Sequence, residues 1–324
     1  MKRINNIYSQ IASLANLQEA DIKAQRGKSN QYGVIKHNKN GEANLLILQD
    51  MLQSKTYKTS TYDIFTVSER KERIVYRLPY FPDRIAHHAI MNVLEPIFVS
   101  TFTADTYSCI KKRGTHKMAD NIKRDLKDVS GTTYCLKFDI KKFYPSIDHY
   151  MLKTLLRRKF KDQDLLWLLD EIIDSAPGLP IGNYLSQYLA NFYLSPFDHW
   201  IKEEKRVQYY YRYADDMVIF HHDKAFLHVL LADIKLYLEE LKLEVKKNHR
   251  VFPVHTGVDV GGYVFRHDYV WIRKWIKQAF ARKLARNPNH SGKHSYLGLL
   301  KHCDAKHLTK KLIPNDTSIQ HPKH

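Results

Sequence analysis

Two adjacent aspartates, Asp215 and Asp216, stand between two runs of residues that are typical of β-strands. Residues 207–213 are rich in aromatic side chains and residues 217–220 are apolar, so the pattern predicts a hairpin with residues 214–216 at its tip. Neighbouring carboxylates raise each other's pKa unless a cation keeps them ionised. An all-oxygen site of this kind suits Mg²⁺, which usually takes one or two carboxylates together with substrate phosphates.

Alone, an Asp-Asp pair is more often a solvated acidic turn than a set of metal ligands. A third aspartate, Asp139, reverses that balance because it lies in residues 134–140, which alternate like a strand with one buried face. The period of two places Phe138 on the anchoring face and Asp139 on the opposite face, together with Cys135. Asp139 can therefore point into a cleft.

Three aspartates from two strands can hold two divalent cations. In a two-metal site the cations activate the attacking hydroxyl, steady the leaving phosphate oxygens and neutralise charge in an in-line displacement. The chemistry is nucleotidyl transfer, which needs no covalent nucleophile because positioning and electrostatics lower the barrier.

Charge and length fit a substrate that is a polyanion. The 324 residues allow two or three domains, and 52 Lys and Arg against 34 Asp and Glu give a net charge of +18. A field of that sign attracts nucleic acid through its phosphates. We see no long apolar run and no signal-like amino terminus, so we expect a soluble cytoplasmic protein without a membrane partner. Cys109, Cys135 and Cys303 lack zinc-site spacing, which indicates a reducing compartment.

The remaining pattern predicts the elements that carry these residues. We expect helices over residues 42–53, 150–174 and 225–241, strands within residues 62–77 and 258–265, and basic helices over residues 273–311 with a turn near residues 288–292.

Two prolines and a glycine suggest where elements end. Asp83 is expected to cap a helix that stops near Pro96, and a second helix is expected to open at Asn183 and to end at Pro196. The stiff turn before Asn183 ends in Gly182, which could let the backbone approach a ligand because it has no side chain.

Order and spacing of these motifs resemble reverse transcriptases. Residues 213–216 (Tyr-Ala-Asp-Asp) match the family's YxDD signature, and residues 138–140 with residues 143–144 match the strand that carries its first metal-binding aspartate. The match continues in order over about residues 65–305, with residues 71–73 and 79–84 in the fingers and residues 260–263 at the primer-grip position.

The resemblance implies an α+β fold, that of a right-hand polymerase with fingers, a palm made of an antiparallel sheet backed by helices, and a helical thumb. It divides the chain into four parts, which are an N-terminal helical extension (residues 1–60), fingers (residues 61–130), palm (residues 131–265, with a finger insertion at about residues 150–180) and thumb with a polar tail (residues 266–324).

The resemblance also implies the site. Asp139, Asp215 and Asp216 would be the catalytic metal ligands, with the carbonyl of Ile140 as a further oxygen ligand. The cofactor would be two Mg²⁺ ions, for which Mn²⁺ can substitute. The substrates would be deoxynucleoside triphosphates, a template RNA and the primer or cDNA strand.

Further roles follow from the same resemblance. Tyr144 falls at the steric-gate position, where an aromatic ring excludes the ribose 2′-OH. Lys71 and Arg73 are the candidates for holding the triphosphate. The remaining nucleotide-binding candidates are Ile181, Gly182 and Gln187, and the primer-grip candidates are Gly261, Gly262 and Tyr263.

A subgroup is also indicated. Most reverse transcriptases carry Pro-Gln-Gly before the nucleotide-binding helix, whereas residues 180–182 are Pro-Ile-Gly. The IGxxxSQ pattern of residues 181–187 is similar to the enzymes of diversity-generating retroelements. That similarity implies cDNA synthesis with errors opposite adenines and a small basic accessory variability protein as partner. Ile181 is our candidate for the fidelity residue, because replacing a polar side chain removes a hydrogen bond that discriminates between nucleotides.

Other functions remain open. A group II intron or other bacterial reverse transcriptase is the nearest alternative, opposed by the missing Pro-Gln-Gly and by the expected lack of an endonuclease or maturase extension after about residue 310. A retron enzyme lacks support from signature residues after the fingers. An RNA-binding protein with a vestigial polymerase site is disfavoured by the three aspartates, and a two-metal nuclease would give Tyr144 no purpose.

Overall fold

The computed structural model describes residues 3–68, 72–287 and 293–312. The chain forms two compact units, both discontinuous in sequence. The first comprises Met1–Thr103, Lys141–Phe197 and Glu239–Leu243, and the second comprises Ala104–Ile140, Asp198–Leu238 and Glu244–His324. The division into extension, fingers, palm and thumb stays a prediction.

α-Helices make up about half of the described chain. They are α1 (Tyr8–Ile11), α2 (Leu14–Gln25), α3 (Tyr32–Asn38), α4 (Gly41–Gln53), α5 (Ile85–Val99), α6 (Thr115–Asp125), α7 (Phe143–Ser146), α8 (His149–Lys159), α9 (Gln163–Asp174), α10 (Tyr184–His199), α11 (Lys224–Glu240), α12 (Lys274–Arg286), α13 (Lys293–Leu300) and α14 (Lys306–Leu312).

The strands form antiparallel sheets. They are β1 (Asp63–Ser68), β2 (Glu72–Arg77), β3 (Tyr134–Asp139), β4 (Tyr209–Tyr213), β5 (Asp216–His221), β6 (Arg250–Pro253), β7 (Val258–Val260), β8 (Tyr263–Phe265) and β9 (Val270–Ile272). The predicted strands within residues 62–77 and 258–265 are therefore confirmed, as are the predicted helices over residues 42–53 and 225–241.

The first unit is a helical assembly with one hairpin. Strands β1 and β2 pair from Asp63 opposite Arg77 to Ser68 opposite Glu72. Local sequence sets the helix starts, since the Asp162 carboxylate at the start of α9 accepts a hydrogen bond from the backbone N–H of Leu165 at 3.2 Å.

The second unit contains two sheets. Strands in the larger one follow the order β4-β5-β3-β6, and those in the smaller one follow the order β7-β8-β9. Apolar side chains from both sheets and from helices α6, α12 and α13 share one core cluster, including Ile122, Cys135, Val218, Tyr263 and Leu300.

The expected helix ends at the two prolines are wrong. Helix α5 continues through Pro96, and the carbonyl of Pro96 accepts a hydrogen bond from the N–H of Ser100 at 3.0 Å. Helix α10 likewise continues through Pro196 to His199. Each helix buries an aromatic side chain just beyond its proline, and packing of this kind can outweigh the lost backbone hydrogen bond.

Two further expectations need correction. Asp83 caps no helix; it is fully buried and accepts hydrogen bonds from the Tyr57 hydroxyl at 2.8 Å and from the Ser60 N–H at 3.1 Å. Cys135 shares a strand face with Asp139, yet it is fully buried, because the face is covered by core side chains at that end. The turn expected near residues 288–292 lies outside the described residues. Within the part of the chain that is described, no helix combines the length and apolar character needed to cross a membrane.

Candidate active site

The predicted hairpin is present and brings the three aspartates together within the second unit. Tyr213 pairs with Asp216 across β4 and β5, so the tip consists of Ala214 and Asp215. On the other side of β5, Asp216 pairs with Asp139 at the end of β3. The N–H of Ile140 donates a hydrogen bond to the carbonyl of Asp215 at 3.2 Å. The carboxylates therefore arise from neighbouring strand ends.

Two lysines accompany these carboxylates. The ammonium of Lys246 lies 2.7 Å from Oδ1 of Asp139 and 3.8 Å from Oδ2 of Asp215. The ammonium of Lys137 lies 3.5 Å from Oδ1 of Asp216. Nothing in the sequence connects Lys246 with Asp139, since 107 residues separate them. The sequence motifs therefore missed this part of the site.

Burial and mutual repulsion perturb the acids. Burial raises the pKa of the Asp215 carboxyl to about 6, and the neighbouring Asp139 acts in the same direction. Burial also raises the pKa of Asp216, and Lys137 opposes that rise. Carboxyl groups whose pKa is raised by burial and by neighbouring acids are typical of functional sites.

The residues present fit a divalent cation. The donor set is oxygen only, and Oδ1 of Asp216 is buried without a hydrogen-bond partner among the described residues. Such an atom is stabilised by a cation that approaches it. In residues 3–68, 72–287 and 293–312, no three acidic, His or Cys side chains are already arranged as a ligand set. The ammonium of Lys246 supplies positive charge to two of the aspartates in this state.

The predicted nucleotide-binding residues lie in the first unit, where several meet. The N–H of Leu179 donates to the carbonyl of Tyr144 at 2.8 Å, and the N–H of Tyr76 donates to the carbonyl of Ile181 at 2.8 Å. The first bond ties the start of α7 to the turn before α10. The second ties the same turn to β2, the strand that carries Arg73. The structure therefore connects both Tyr144 and the strand β2 to the turn that carries Ile181.

The local backbone structure explains why residue 182 is a glycine. Its φ is +124°, and a Cβ atom there would collide with the carbonyl oxygen of Tyr76. The close backbone approach expected at Gly182 thus involves Tyr76 of β2.

Gly182 and Gln187 also line a cavity of about 350 Å³, together with Lys28, Arg84 and His87. His87 is 2% exposed, and its Nε2 has no partner among the described residues. Burial lowers the pKa of His87 to about 3, which keeps its ring neutral. Basic side chains and a neutral imidazole suit a ligand that carries both charge and hydrogen-bonding groups.

The other predicted residues are placed as follows. Lys71 lies outside the described residues, and Arg73 is exposed on β2. Gly261 and Gly262 form the turn between β7 and β8 with φ values of +60° and +95°. Tyr263 is fully buried, and its hydroxyl donates to the carbonyl of Leu299 at 3.1 Å. The nucleotide and primer-grip roles of these residues stay predictions.

Comparison with known proteins places this geometry in a family. A family model described as "Reverse transcriptase (RNA-dependent DNA polymerase)" matches residues 66–298. The chain is 26% identical over 139 residues to Protein YkfC of Escherichia coli (strain K12), covering 39% of this chain and 36% of that protein. It is 27% identical over 139 residues to the group II intron-encoded protein LtrA of Lactococcus lactis subsp. cremoris, covering 40% of this chain and 23% of that protein.

A third relative is covered more fully. The chain is 25% identical over 207 residues to the Retron Ec73 reverse transcriptase of Escherichia coli, covering 56% of this chain and 66% of that protein. Of the first two relatives, by contrast, the chain spans little more than a third and less than a quarter.

Solved structures are similar in fold. Apo telomerase from Candida tropicalis matches with a TM-score of 0.54 and 14% identity over 75% of this chain and 51% of that one. Telomerase from Candida albicans in complex with a TWJ fragment of telomeric RNA matches with a TM-score of 0.51 and 13% identity over 82% of this chain and 57% of that one. The α+β polymerase fold expected from the sequence is thereby confirmed. Because the family model covers residues 66–298, most of the 324-residue chain, the protein belongs to the reverse transcriptase (RNA-dependent DNA polymerase) family.

Proposed function

We propose that the chain is an RNA-directed DNA polymerase that copies a template RNA into cDNA by two-metal nucleotidyl transfer. The observation that carries the proposal is the convergence of Asp139, Asp215 and Asp216 at neighbouring strand ends. Two observations support it: the pKa of Asp215 is raised, and Oδ1 of Asp216 is buried without a hydrogen-bond partner in the part of the chain that the structure describes.

The second unit supplies the carboxylates. Asp139, Asp215 and Asp216 would hold two divalent cations, which reverse transcriptase domains generally use, and we propose Mg²⁺ with Mn²⁺ as a substitute. When bound, the cations would activate the primer hydroxyl and neutralise charge on the leaving phosphate. The protein's own contribution is to fix the direction of the three carboxylates through the strand pairing.

The first unit supplies the side chains that receive the nucleotide. Tyr144 and Ile181 are held together through the turn before α10, and Arg73 stands on the adjoining strand β2. We propose that the Tyr144 ring excludes the 2′-OH and that Arg73, with Lys71, binds the triphosphate. Gln187 and the cavity beside it would contact the nucleic acid strand or the incoming nucleotide.

The proposed partners are inferred from the net charge of the chain and from its similarity to known families. A net charge of +18 suits a template RNA and a growing cDNA strand. We propose further that the enzyme belongs to a diversity-generating retroelement, works in the cytoplasm with a small basic accessory variability protein, and errs at template adenines. The support is Pro-Ile-Gly at residues 180–182. Similarity to LtrA and to the Ec73 enzyme favours a group II intron-like or retron-like reverse transcriptase as the second candidate.

Primer extension tests the polymerase proposal directly. Purified protein is given an annealed primer on an RNA template, deoxynucleotides and Mg²⁺, with and without a candidate accessory protein. We expect extension that stops on addition of EDTA and returns with excess Mg²⁺. A protein that binds the primed template but never extends it would support the vestigial, RNA-binding alternative instead.

A substitution of Ile181 tests the proposed subtype, the enzyme of a diversity-generating retroelement. We expect Ile181→Gln to lower misincorporation opposite template adenine by roughly 5- to 30-fold, which corresponds to about 1–2 kcal/mol for a restored discriminating hydrogen bond. Misincorporation is counted by sequencing the cDNA. Ile181→Leu is the control because it stays apolar, so its error rate should match the wild type. An unchanged error rate in Ile181→Gln would remove Ile181 from the explanation.

A further inference from the structure

A buried ion pair lies next to the catalytic hairpin in the second unit. The side chains of Arg212 on β4 and Asp198 at the end of α10 are both 0% exposed. Nε of Arg212 donates to Oδ1 of Asp198 at 2.8 Å, and Nη2 donates to Oδ2 at 2.6 Å. The guanidinium therefore grips the carboxylate with two parallel hydrogen bonds, which is the most directional form of this interaction.

The carboxylate is held in turn by two hydroxyl groups. The Tyr210 hydroxyl donates to Oδ1 of Asp198 at 2.7 Å, and the Thr106 hydroxyl donates to Oδ2 at 3.0 Å. The backbone of Arg212 is also fastened, since its N–H donates to the carbonyl of Asp105 at 2.9 Å. Arg212 thus has little freedom to move.

From this fixed position Arg212 reaches the tip of the hairpin. Its Nη1 donates to the carbonyl of Ala214 at 3.3 Å. Ala214 has a φ of +54°, a left-handed conformation that is unfavourable for a residue with a Cβ atom. The peptide that follows this carbonyl carries the N–H of Asp215, so holding the carbonyl restricts the orientation of the catalytic doublet.

Stability alone does not account for such a pair. Replacing a buried ion pair by well-packed apolar residues is often neutral or stabilising, because desolvation of the two charges offsets their attraction. A buried pair that also contacts a strained turn has a use in fixing geometry.

We propose that Arg212, oriented by Asp198, is a positioning residue that holds the Ala214 carbonyl and thereby sets the direction in which Asp215 and Asp216 present their carboxylates. Arg212 touches neither substrate nor cation in this role. The activity readout rests on the proposed polymerase function, whereas the cation-binding readout below does not.

The test uses the double variant Asp198→Asn/Arg212→Met in the full chain. It removes both charges together, and the Asn oxygen still accepts the Tyr210 hydrogen bond, so no unpaired charge is buried. We expect a folded protein whose kcat for extension falls about 100-fold, because misplacement by about 1 Å has effects of this size. KM for deoxynucleotide should change by less than about threefold, since the nucleotide-binding candidates lie elsewhere in the chain.

Two more variants separate positioning from general support of the fold. Tyr211→Phe removes a hydrogen bond that the neighbouring residue of β4 donates to Asp125, outside the Asp198 cluster, and leaves Arg212 and its contact with Ala214, so its kcat should stay near wild type. Arg212→Lys keeps the charge but loses the guanidinium that reaches both partners. It should show the same loss of kcat, and it decides the question if the double variant does not fold.

Cation affinity gives a readout that needs no polymerase activity. Mn²⁺ titration followed by electron paramagnetic resonance should show binding at least about tenfold weaker in Arg212→Lys than in Tyr211→Phe, since ligand geometry governs affinity. Wild-type protein that binds Mn²⁺ but extends no primer would contradict the proposed function and leave this comparison intact. Wild-type kcat and Mn²⁺ affinity in Arg212→Lys would overturn the positioning role, and so would a loss of kcat in Tyr211→Phe as large as that in Arg212→Lys.

Discussion

Replacing Asp216 by Asn is expected to lower primer extension by at least about 1,000-fold, because the amide removes one of three charges that would hold the cations. Asp216 pairs with Asp139 on β3, and its Oδ1 has no hydrogen-bond partner among the described residues, with the ammonium of Lys137 3.5 Å away, so Asn removes little structural support. Single-turnover extension under saturating nucleotide measures the loss without interference from product release.

The same variant should fold at least as well as the wild type. Burial raises the pKa of Asp216, so the folded protein binds this proton more tightly than the unfolded chain does. The ionised carboxylate therefore lowers the free energy of unfolding at pH 8, a penalty that shrinks as the pH falls through the raised pKa. Asn is neutral at every pH and removes the penalty. Thermal melting of metal-free protein at pH 8 should thus give an unchanged or higher midpoint.

A matched control comes from the same unit. Asp233 lies on α11, is exposed to a similar extent and pairs with Lys205 at 2.7 Å. Asp233→Asn should leave extension within about twofold of wild type, as exposed ion pairs contribute little. Extension by Asp216→Asn at a tenth of the wild-type rate or more would contradict the two-metal assignment.

Local patterns predicted the strands that carry the three aspartates. The hairpin at residues 214–216 and the strand before Asp139 follow from alternation and aromatic content, which act over a few residues. The three aspartates could be identified without knowing the strand order, because the family motif already names them. The structure adds that Asp139 and Asp216 stand opposite each other.

Long-range partners could not be predicted in this way. Lys246 contacts Asp139 across 107 residues, and no spacing rule joins them. Arg212 is 14 residues from Asp198, yet its charge alone suggests a solvated strand residue rather than a fully buried one. Buried polar pairs depend on which elements pack together, and this information is spread over the whole chain.

The predicted helix ends were wrong for a related reason. Proline signals describe the intrinsic preference of the backbone, and α5 and α10 both continue past a proline. Tertiary packing of the residues beyond the proline decides the outcome. The prediction for Asp83 was wrong for the same reason. Its carboxylate is buried and accepts a hydrogen bond from the Tyr57 hydroxyl instead of capping a helix.

The second prediction with a large expected effect concerns the choice between ribonucleotides and deoxyribonucleotides. Tyr144→Ala is expected to weaken discrimination against ribonucleotides by about 100-fold, since exclusion of a hydroxyl by shape is an effect of roughly this size. The geometry supports a fixed ring at this position. The carbonyl of Tyr144 accepts the Leu179 N–H at 2.8 Å, and the ring lies 5.4 Å from that of the buried Phe143.

The measurement is the ratio of kcat/KM for a deoxynucleotide to that for the matching ribonucleotide. We expect Tyr144→Ala to change the ratio through faster ribonucleotide insertion, with deoxynucleotide insertion altered by less than about fivefold, because a steric gate acts on the wrong substrate. Tyr144→Phe keeps the ring and removes only the hydroxyl, so it should retain the wild-type ratio. If Tyr144→Phe loses discrimination as fully as Tyr144→Ala, the hydroxyl and not the ring surface selects the sugar. If neither variant changes the ratio, the gate lies at another residue, and the hydrogen bond from the Leu179 N–H to the Tyr144 carbonyl serves only to hold the turn before α10.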